Sequence, residues 1–217
     1  MNKALLSLAL LLTAAGAAQA QGNLTETLAK LDAASAKFSN AQADVHNVSY
    51  NNVIKDIDDD QHGIVYFQRA KSGSQMGIKT DGKGARTVEY KNGTLRDYIP
   101  GSKCYNTVHN SSIETYLTLG FGGSGKDLAS AWNIVDLGQE TVDGIKVEKL
   151  ELTPKDAGVK ANVTKFTLWL DLARDVSLKQ VLLAPTKDTH TATYTNIRLN
   201  QKIDTKPFEI KGNSCNK

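Results

Sequence analysis

The chain has 217 residues, of which 40% are hydrophobic, 6% aromatic and 23% charged, the composition of an ordinary globular protein. Its 26 Lys+Arg stand against 23 Asp+Glu, a net charge of +3 spread along the chain. That excludes a dedicated nucleic-acid binder with clustered basic residues, and the apolar content excludes a disordered chain.

In chain order, Met1-Asn2-Lys3 gives a short positive start, positions 4–15 are almost wholly apolar, and Ala18-Gln19-Ala20 has the small-x-small form read by signal peptidase. Residues 1–20 therefore read as a secretory signal cleaved after Ala20, leaving residues 21–217 as a single domain. Position 21 is Gln and not the Cys that bacterial lipoproteins acylate, and no later segment is apolar over a membrane-spanning length. The expected product is exported and unanchored. In an oxidising compartment Cys104 and Cys215 can pair or remain two separate thiols.

Leu24, Leu28, Leu31 and Phe38 recur at helical spacing, and Asn23 followed by Glu26 resembles a capping box, so a helix is expected from Asn23. From Ala43 the pattern becomes short segments rich in Val, Ile, Thr and Tyr. Strands are predicted near 43–56, 62–70, 75–81, 85–91, 94–99 and 103–109, with turns at Asp81-Gly82, Asn92-Gly93 and Pro100-Gly101. Asn92-Gly93 between two alternating runs is the strongest hairpin signal. Two short helices, 111–119 and 125–131, are expected on either side of the glycine cluster Gly120 to Gly125, which reads as a hinge. Strands resume at 133–140, 145–153, 162–172, 177–184, 189–198 and 207–211. The fold class is α+β, mainly antiparallel β, a meander that curls into a barrel or a curved open sheet.

Several motifs fail as chemistry. Gly120 to Lys126 matches part of a phosphate-binding loop, but Asp127 stands where Ser or Thr would hold magnesium, and a helical stretch, not a strand, precedes it. Asp56, Asp58 and Asp60 fit the start of a calcium loop, yet Gln61 and Phe67 occupy its glycine and glutamate positions. His46, His62, His109 and His190 show no metal-site spacing, and Ser124 lacks the sequence of a nucleophile elbow. No catalytic constellation, metal site or cofactor site emerges, and the chain does not read as an enzyme. What stands out is strands with apolar residues on both faces. Val65, Phe67 and Arg69 share one face, with Ile64 and Tyr66 on the other; Phe166, Leu168 and Leu170 share a face, with Trp169 opposite. Such strands need cover on both sides, either a packed core or an enclosed cavity that takes an acyl chain.

Gly63-Ile64-Val65-Tyr66-Phe67-Gln68-Arg69, then Asn92-Gly93-Thr94-Leu95 and Tyr98-Ile99-Pro100, resemble the periplasmic outer-membrane lipoprotein carriers of the LolA type. Leu150-Glu151-Leu152-Thr153-Pro154-Lys155, Phe166-Thr167-Leu168-Trp169-Leu170-Asp171 and Pro207-Phe208-Glu209-Ile210 keep that family's order, so the resemblance covers nearly all of the mature chain. It implies an incomplete, open β-barrel with an N-terminal helix and a helical lid. It further implies a monomeric periplasmic carrier that accepts acylated lipoprotein from an inner-membrane exporter and passes it to an outer-membrane acceptor. The family's strand arginine, bonded to the lid, falls on Arg69. The lipid-facing and lid positions it implies are Val65, Phe67, Met76 and Ile78 on the first strands, Tyr116, Leu117 and Phe121 in the lid, and Phe166, Leu168 and Leu170 on the later strands. The chain departs from the family pattern at Ala70, where Pro is usual, and at Arg96, where an aromatic residue is common. A sensor or interaction module of the same fold, binding lipids or mislocalised lipoproteins, is the alternative.

Overall fold

The structure is a computed structural model that describes residues 22–71, 73–109 and 119–215. The signal segment 1–20 and most of the expected helix 111–119, including Tyr116 and Leu117, lie outside the described residues.

Helix α1 runs Leu24–Ser35, its first turn capped by Asn23, whose Oδ1 accepts the Glu26 N–H at 3.4 Å. Six strands follow: β1 Asn40–Asn51, β2 Asp56–Ala70, β3 Gly73–Lys83, β4 Thr87–Lys91, β5 Thr94–Tyr98 and β6 Asn106–His109. A short helix, α2 Gly125–Ala131, leads into β7 Trp132–Val142 and β8 Ile145–Pro154. After the one-turn α3 Ala157–Lys160 come β9 Lys165–Asp171, β10 Val176–Leu183 and β11 Thr189–Leu199.

Among the described residues these strands make one antiparallel sheet in the order β6-β5-β4-β3-β2-β1-β11-β10-β9-β8-β7. Two meanders are thus joined where β1 pairs with β11, and the edges β6 and β7 do not pair with each other. The barrel is open. Two-residue hairpin turns stand at Asn92-Gly93 (φ 53° and 73°) and Asp143-Gly144 (φ 49° and 78°), both residues at positive φ, the geometry that matches the strand twist.

Three expectations need correction. The strand expected to reach 56 stops at Asn51, because the Asn51 Oδ1 accepts the N–H groups of Val53 (2.9 Å) and Ile54 (3.2 Å) and so makes a local turn. Asp81-Gly82 is not a turn: β3 runs through it, paired with His62 and Gln61, since the long β2 offers pairing partners as far as Asp60. The last strand, expected at 207–211, is instead a 3-10 turn at Lys206–Phe208. Pro207 has no N–H to give a ladder and sits readily in a first helical turn.

That turn has its own work. Phe208, 1% exposed, packs edge-on against Tyr66 (ring centroids 4.8 Å apart) on the outer face of the sheet. The tail then pairs Ser214 with Tyr105, and a Cys104–Cys215 disulfide closes it. Trp169, also outward-facing, is covered by charge. The Lys149 and Lys179 ammonium groups lie 5.1 and 4.8 Å from its ring, and its Nε1 donates to the Glu140 Oε2 at 2.6 Å.

Candidate functional site

The inner face of the sheet carries two apolar clusters. One, from β1 to β4 and β11, contains Val65, Phe67, Met76, Tyr90, Phe121 and Tyr194; Ile78 packs against it. The other, from β7 to β9, contains Trp132, Leu150, Leu152, Phe166, Leu168 and Leu170, with Leu31 of α1 and Leu119. Between them lies a cavity of about 410 Å³, within the span of ligand pockets. Phe67 and Phe121 (stacked, centroids 3.9 Å apart) wall it on one side, and Leu168, Leu170 and Trp132 wall it on the other. A second cavity, about 550 Å³, lies on the other flank of α1, where Phe38 and Leu170 reappear with Lys37, Arg174 and Leu199.

Helix α1 roofs this space with a narrow apolar contact, in which Leu28 packs half-buried against the same cluster as Leu31. Its buried residues are Thr27, Leu31 and Ser35, one stripe at four-residue spacing. Only Leu31 is apolar. The hydroxyl of Thr27 donates to the Asp136 Oδ2 at 2.8 Å, and that of Ser35 donates to the Gly122 carbonyl at 2.8 Å.

Arg69 gathers the second of these contacts. It stands at the cavity mouth at the end of β2 and keeps much of its surface exposed. Its Nη1 donates to the Ser35 carbonyl (3.0 Å), and its Nη2 donates to the Ser35 Oγ (3.0 Å) and the Gly122 carbonyl (2.6 Å). One guanidinium thus joins a strand, the last residue of α1 and the glycine segment. A cation at that end also meets the negative pole of the helix.

The glycine segment is pinned rather than freely hinged. The Leu119 carbonyl accepts from the Gln180 Nε2 (2.7 Å), the Gly120 carbonyl from the Ser177 N–H (2.7 Å), and the Gly122 N–H donates to the Asp175 carbonyl (3.1 Å). Gly122 has φ +71°, and a Cβ there would stand 2.2 Å from the Phe38 ring; a Cβ on Gly125 would stand 2.2 Å from the Leu28 carbonyl oxygen. These glycines permit close approach of α1 and the segment, while Gly123 faces open space. Asp127 hydrogen-bonds the hydroxyl of Ser124, the N-cap of α2.

Two buried carboxyl sites were not singled out in the sequence. Asp175, 1% exposed, lines the cavity, and its Oδ2 has no hydrogen-bond partner. Desolvation pushes its pKa from 3.8 up to about 7, against the opposing pull of Arg69. Under α1, Glu148 lies beside Asp136; burial and the shared hydrogen bond with Asp136 push Glu148 up to about 6. Asp175 lies between β9 and β10, and nothing local in the sequence signals that this connection faces inward.

Of the residues implied by the family resemblance, Phe67, Arg69, Phe121, Leu168 and Leu170 line the first cavity. Val65, Met76 and Phe166 are buried in the flanking clusters, and Ile78 packs beside them.

No protein-family model and no curated protein sequence matches the chain. Solved structures do. MucB superposes with a TM-score of 0.51 at 16% identity over 87% of this chain and 62% of its own, and has also been solved with MucA from Pseudomonas aeruginosa. An uncharacterized conserved protein from Thermus thermophilus superposes with a TM-score of 0.52 at 9% identity over 85% of this chain and 91% of its own. These likenesses show the fold alone, an open, mainly antiparallel sheet with an N-terminal helix. A LolA superfamily protein from Nitrosomonas europaea matches with a TM-score of 0.43 at 13% identity, covering 87% of this chain and 98% of its own.

Proposed function

We propose that the chain is an exported, non-enzymatic carrier that shields the acyl chains of lipoproteins in the cavity beneath α1 and shuttles them from the inner to the outer membrane. The observation that carries this reading is the roof. A helix of 12 residues lies over apolar walls with one buried leucine, one half-buried leucine and two polar attachments. A core helix would bury a broad apolar stripe, whereas a lid must leave at low cost. Each CH₂ moved out of water contributes roughly 0.8 kcal/mol, so an acyl chain can displace such a lid and occupy its place on the inner face. Arg69 then acts as the latch, since its release frees the end of α1 and the glycine segment together. The exported, periplasmic location rests on the signal-like residues 1–20, and the exporter and acceptor membranes on the family resemblance.

The test uses purified mature protein. A hydrophobic fluorophore should bind, and an acylated peptide should displace it where the unacylated peptide does not. Arg69→Leu should preserve this uptake but slow delivery of loaded lipoprotein to outer-membrane vesicles. A fluorophore signal indifferent to acylation would remove the carrier reading. Equal delivery by variant and parent would remove only the latch.

The second reading, a sensor or interaction module, rests on the structural likeness to MucB, a protein solved in complex with MucA. Stable capture of a single protein partner without transfer of acylated cargo would favour it.

A further inference from the structure

On the outer face of the β1–β2 hairpin, away from the cavity, the side chain of His46 on β1 converges with those of Asp60 and His62 on β2. His46 on β1 is paired directly with His62 on β2, and Val48 with Asp60. His62 and Asp60, two residues apart on one strand, project to the same face as His46. The two imidazole rings stack at 4.0 Å with 10° between their planes. Both aim Nε2 at one carboxylate oxygen: the Asp60 Oδ1 is 2.8 Å from the Nε2 of His46 and 3.8 Å from that of His62. All three donor atoms lie within 4.8 Å of one another, the only such group of three among the described residues.

We propose that His46, Asp60 and His62 form a binding site for a first-row divalent transition metal such as Zn²⁺. Ligands held at the usual Zn–N and Zn–O lengths around a tetrahedral ion stand about 3.3 Å apart, and the two measured separations bracket that value. Two imidazoles with one carboxylate suit Zn²⁺, Cu²⁺ or Ni²⁺ better than Ca²⁺ or Mg²⁺, which take oxygen ligands. On the neighbouring β3 the same face carries Asp81, paired with His62, between Lys79 and Lys83, and Lys83 sends its ammonium to the Ile57 carbonyl at 2.5 Å. Three protein ligands leave one position on the ion open to water or to a donor from another molecule. The backbone of the site is a rigid ladder, β1 being paired on both sides, with β2 and with β11; the imidazoles must turn out of their stack to bind, since an ion cannot lie in the planes of two parallel rings at once. His190 and His109 lie elsewhere, each beside a hydroxyl, Ser49 and Thr94 respectively.

The test is calorimetric titration of untagged protein with Zn²⁺, and separately with Ca²⁺ and Mg²⁺. The expected result is one zinc per chain with micromolar or tighter affinity, a rise in melting temperature with zinc, and no calcium or magnesium binding at the same concentrations. His46→Ala and His62→Ala should each weaken zinc binding at least tenfold and abolish the zinc-dependent rise, while His190→Ala leaves both unchanged. His62→Gln serves as the second variant if an alanine substitution disturbs folding. Zinc affinity that is unaltered in the His46 and His62 variants, or equally lost in His190→Ala, would overturn the proposal, as would the absence of stoichiometric binding. The cavity and its cargo are untouched by these substitutions, so this outcome is independent of the carrier reading.

Discussion

On the inner face of the sheet, Arg69, Asp136, Glu148 and Asp175 stand among leucines and aromatic rings; on the outer face, Glu140, Lys149 and Lys179 surround Trp169 within reach of solvent. The inner groups are few and either tie the roof down or bear a large desolvation penalty. Arg69 holds α1 to the glycine segment, Asp136 holds Thr27, and Asp175 is driven toward its neutral form. On the outer face, hydrogen bonds from Lys149 and Trp169 hold the Glu140 carboxyl below its ordinary range, so it remains ionised. Low-dielectric surroundings make the buried carboxyls Asp136, Glu148 and Asp175 decisive, Arg69 acts at the wetter cavity mouth through its three hydrogen bonds, and water makes the outer charges nearly interchangeable. The outer face therefore needs another source of stability, and the tail supplies it through Phe208 and the disulfide.

The largest expected effect tests that last point. Cys104 and Cys215 are 111 positions apart, and closing so long a loop stabilises by about 4–5 kcal/mol in the chain-entropy treatment. Cys104→Ser with Cys215→Ser should lower the denaturation midpoint accordingly; a loss below about 1 kcal/mol would show that the tail holds without it.

Next comes Asp175. Its folded pKa, about 7, lies above the ordinary 3.8, so its contribution to stability is fully present below about pH 4 and is lost as pH rises from there through 7. Asp175→Asn cannot ionise, so at pH 8 it should be more stable than the parent by up to about 4 kcal/mol and show a flatter profile. Glu148, raised to about 6, leaves a smaller slope of the same sign. Parallel stability–pH curves for variant and parent would contradict the assignment.

Leu168→Ala removes a side chain that is 0% exposed and walls the cavity. Urea unfolding should report a loss of about 2–5 kcal/mol. The counterpart on the outer face is Lys179→Ala, which removes one of two ammonium groups over Trp169 and should cost about 0.5–1 kcal/mol. If the two substitutions proved equally damaging, the contrast between the faces would fail.

Most of the strands, the capped first helix and the Asn92-Gly93 turn were legible because each is encoded locally, in alternation, in a side-chain cap or in residues that tolerate positive φ. Phe67, Leu168 and Leu170 were also legible as a set, since alternation assigns them to a face. What alternation alone could not reveal was which face is inner. It places Phe166 and Trp169 on opposite faces, and the structure shows the first in the core and the second against lysines. The 3-10 turn of the tail was misread because Phe208 follows apolar spacing, while Pro207 forbids the ladder that spacing suggested.

By itself, then, the sequence determined the local elements and the existence of two-faced strands, because backbone propensity and the two-residue period act over neighbouring positions. The tertiary structure alone decided everything that depends on register. Pairing β1 with β2 set His46 against His62, positions that no spacing rule links. The end of β2, meeting the end of α1, gave Arg69 its acceptors at Ser35 and Gly122. The turn before β10, folded inward, buried Asp175 and raised its pKa. Each of these is an interaction between residues far apart in the chain, and its strength comes from how much water the assembled sheet excludes, which no single segment can specify.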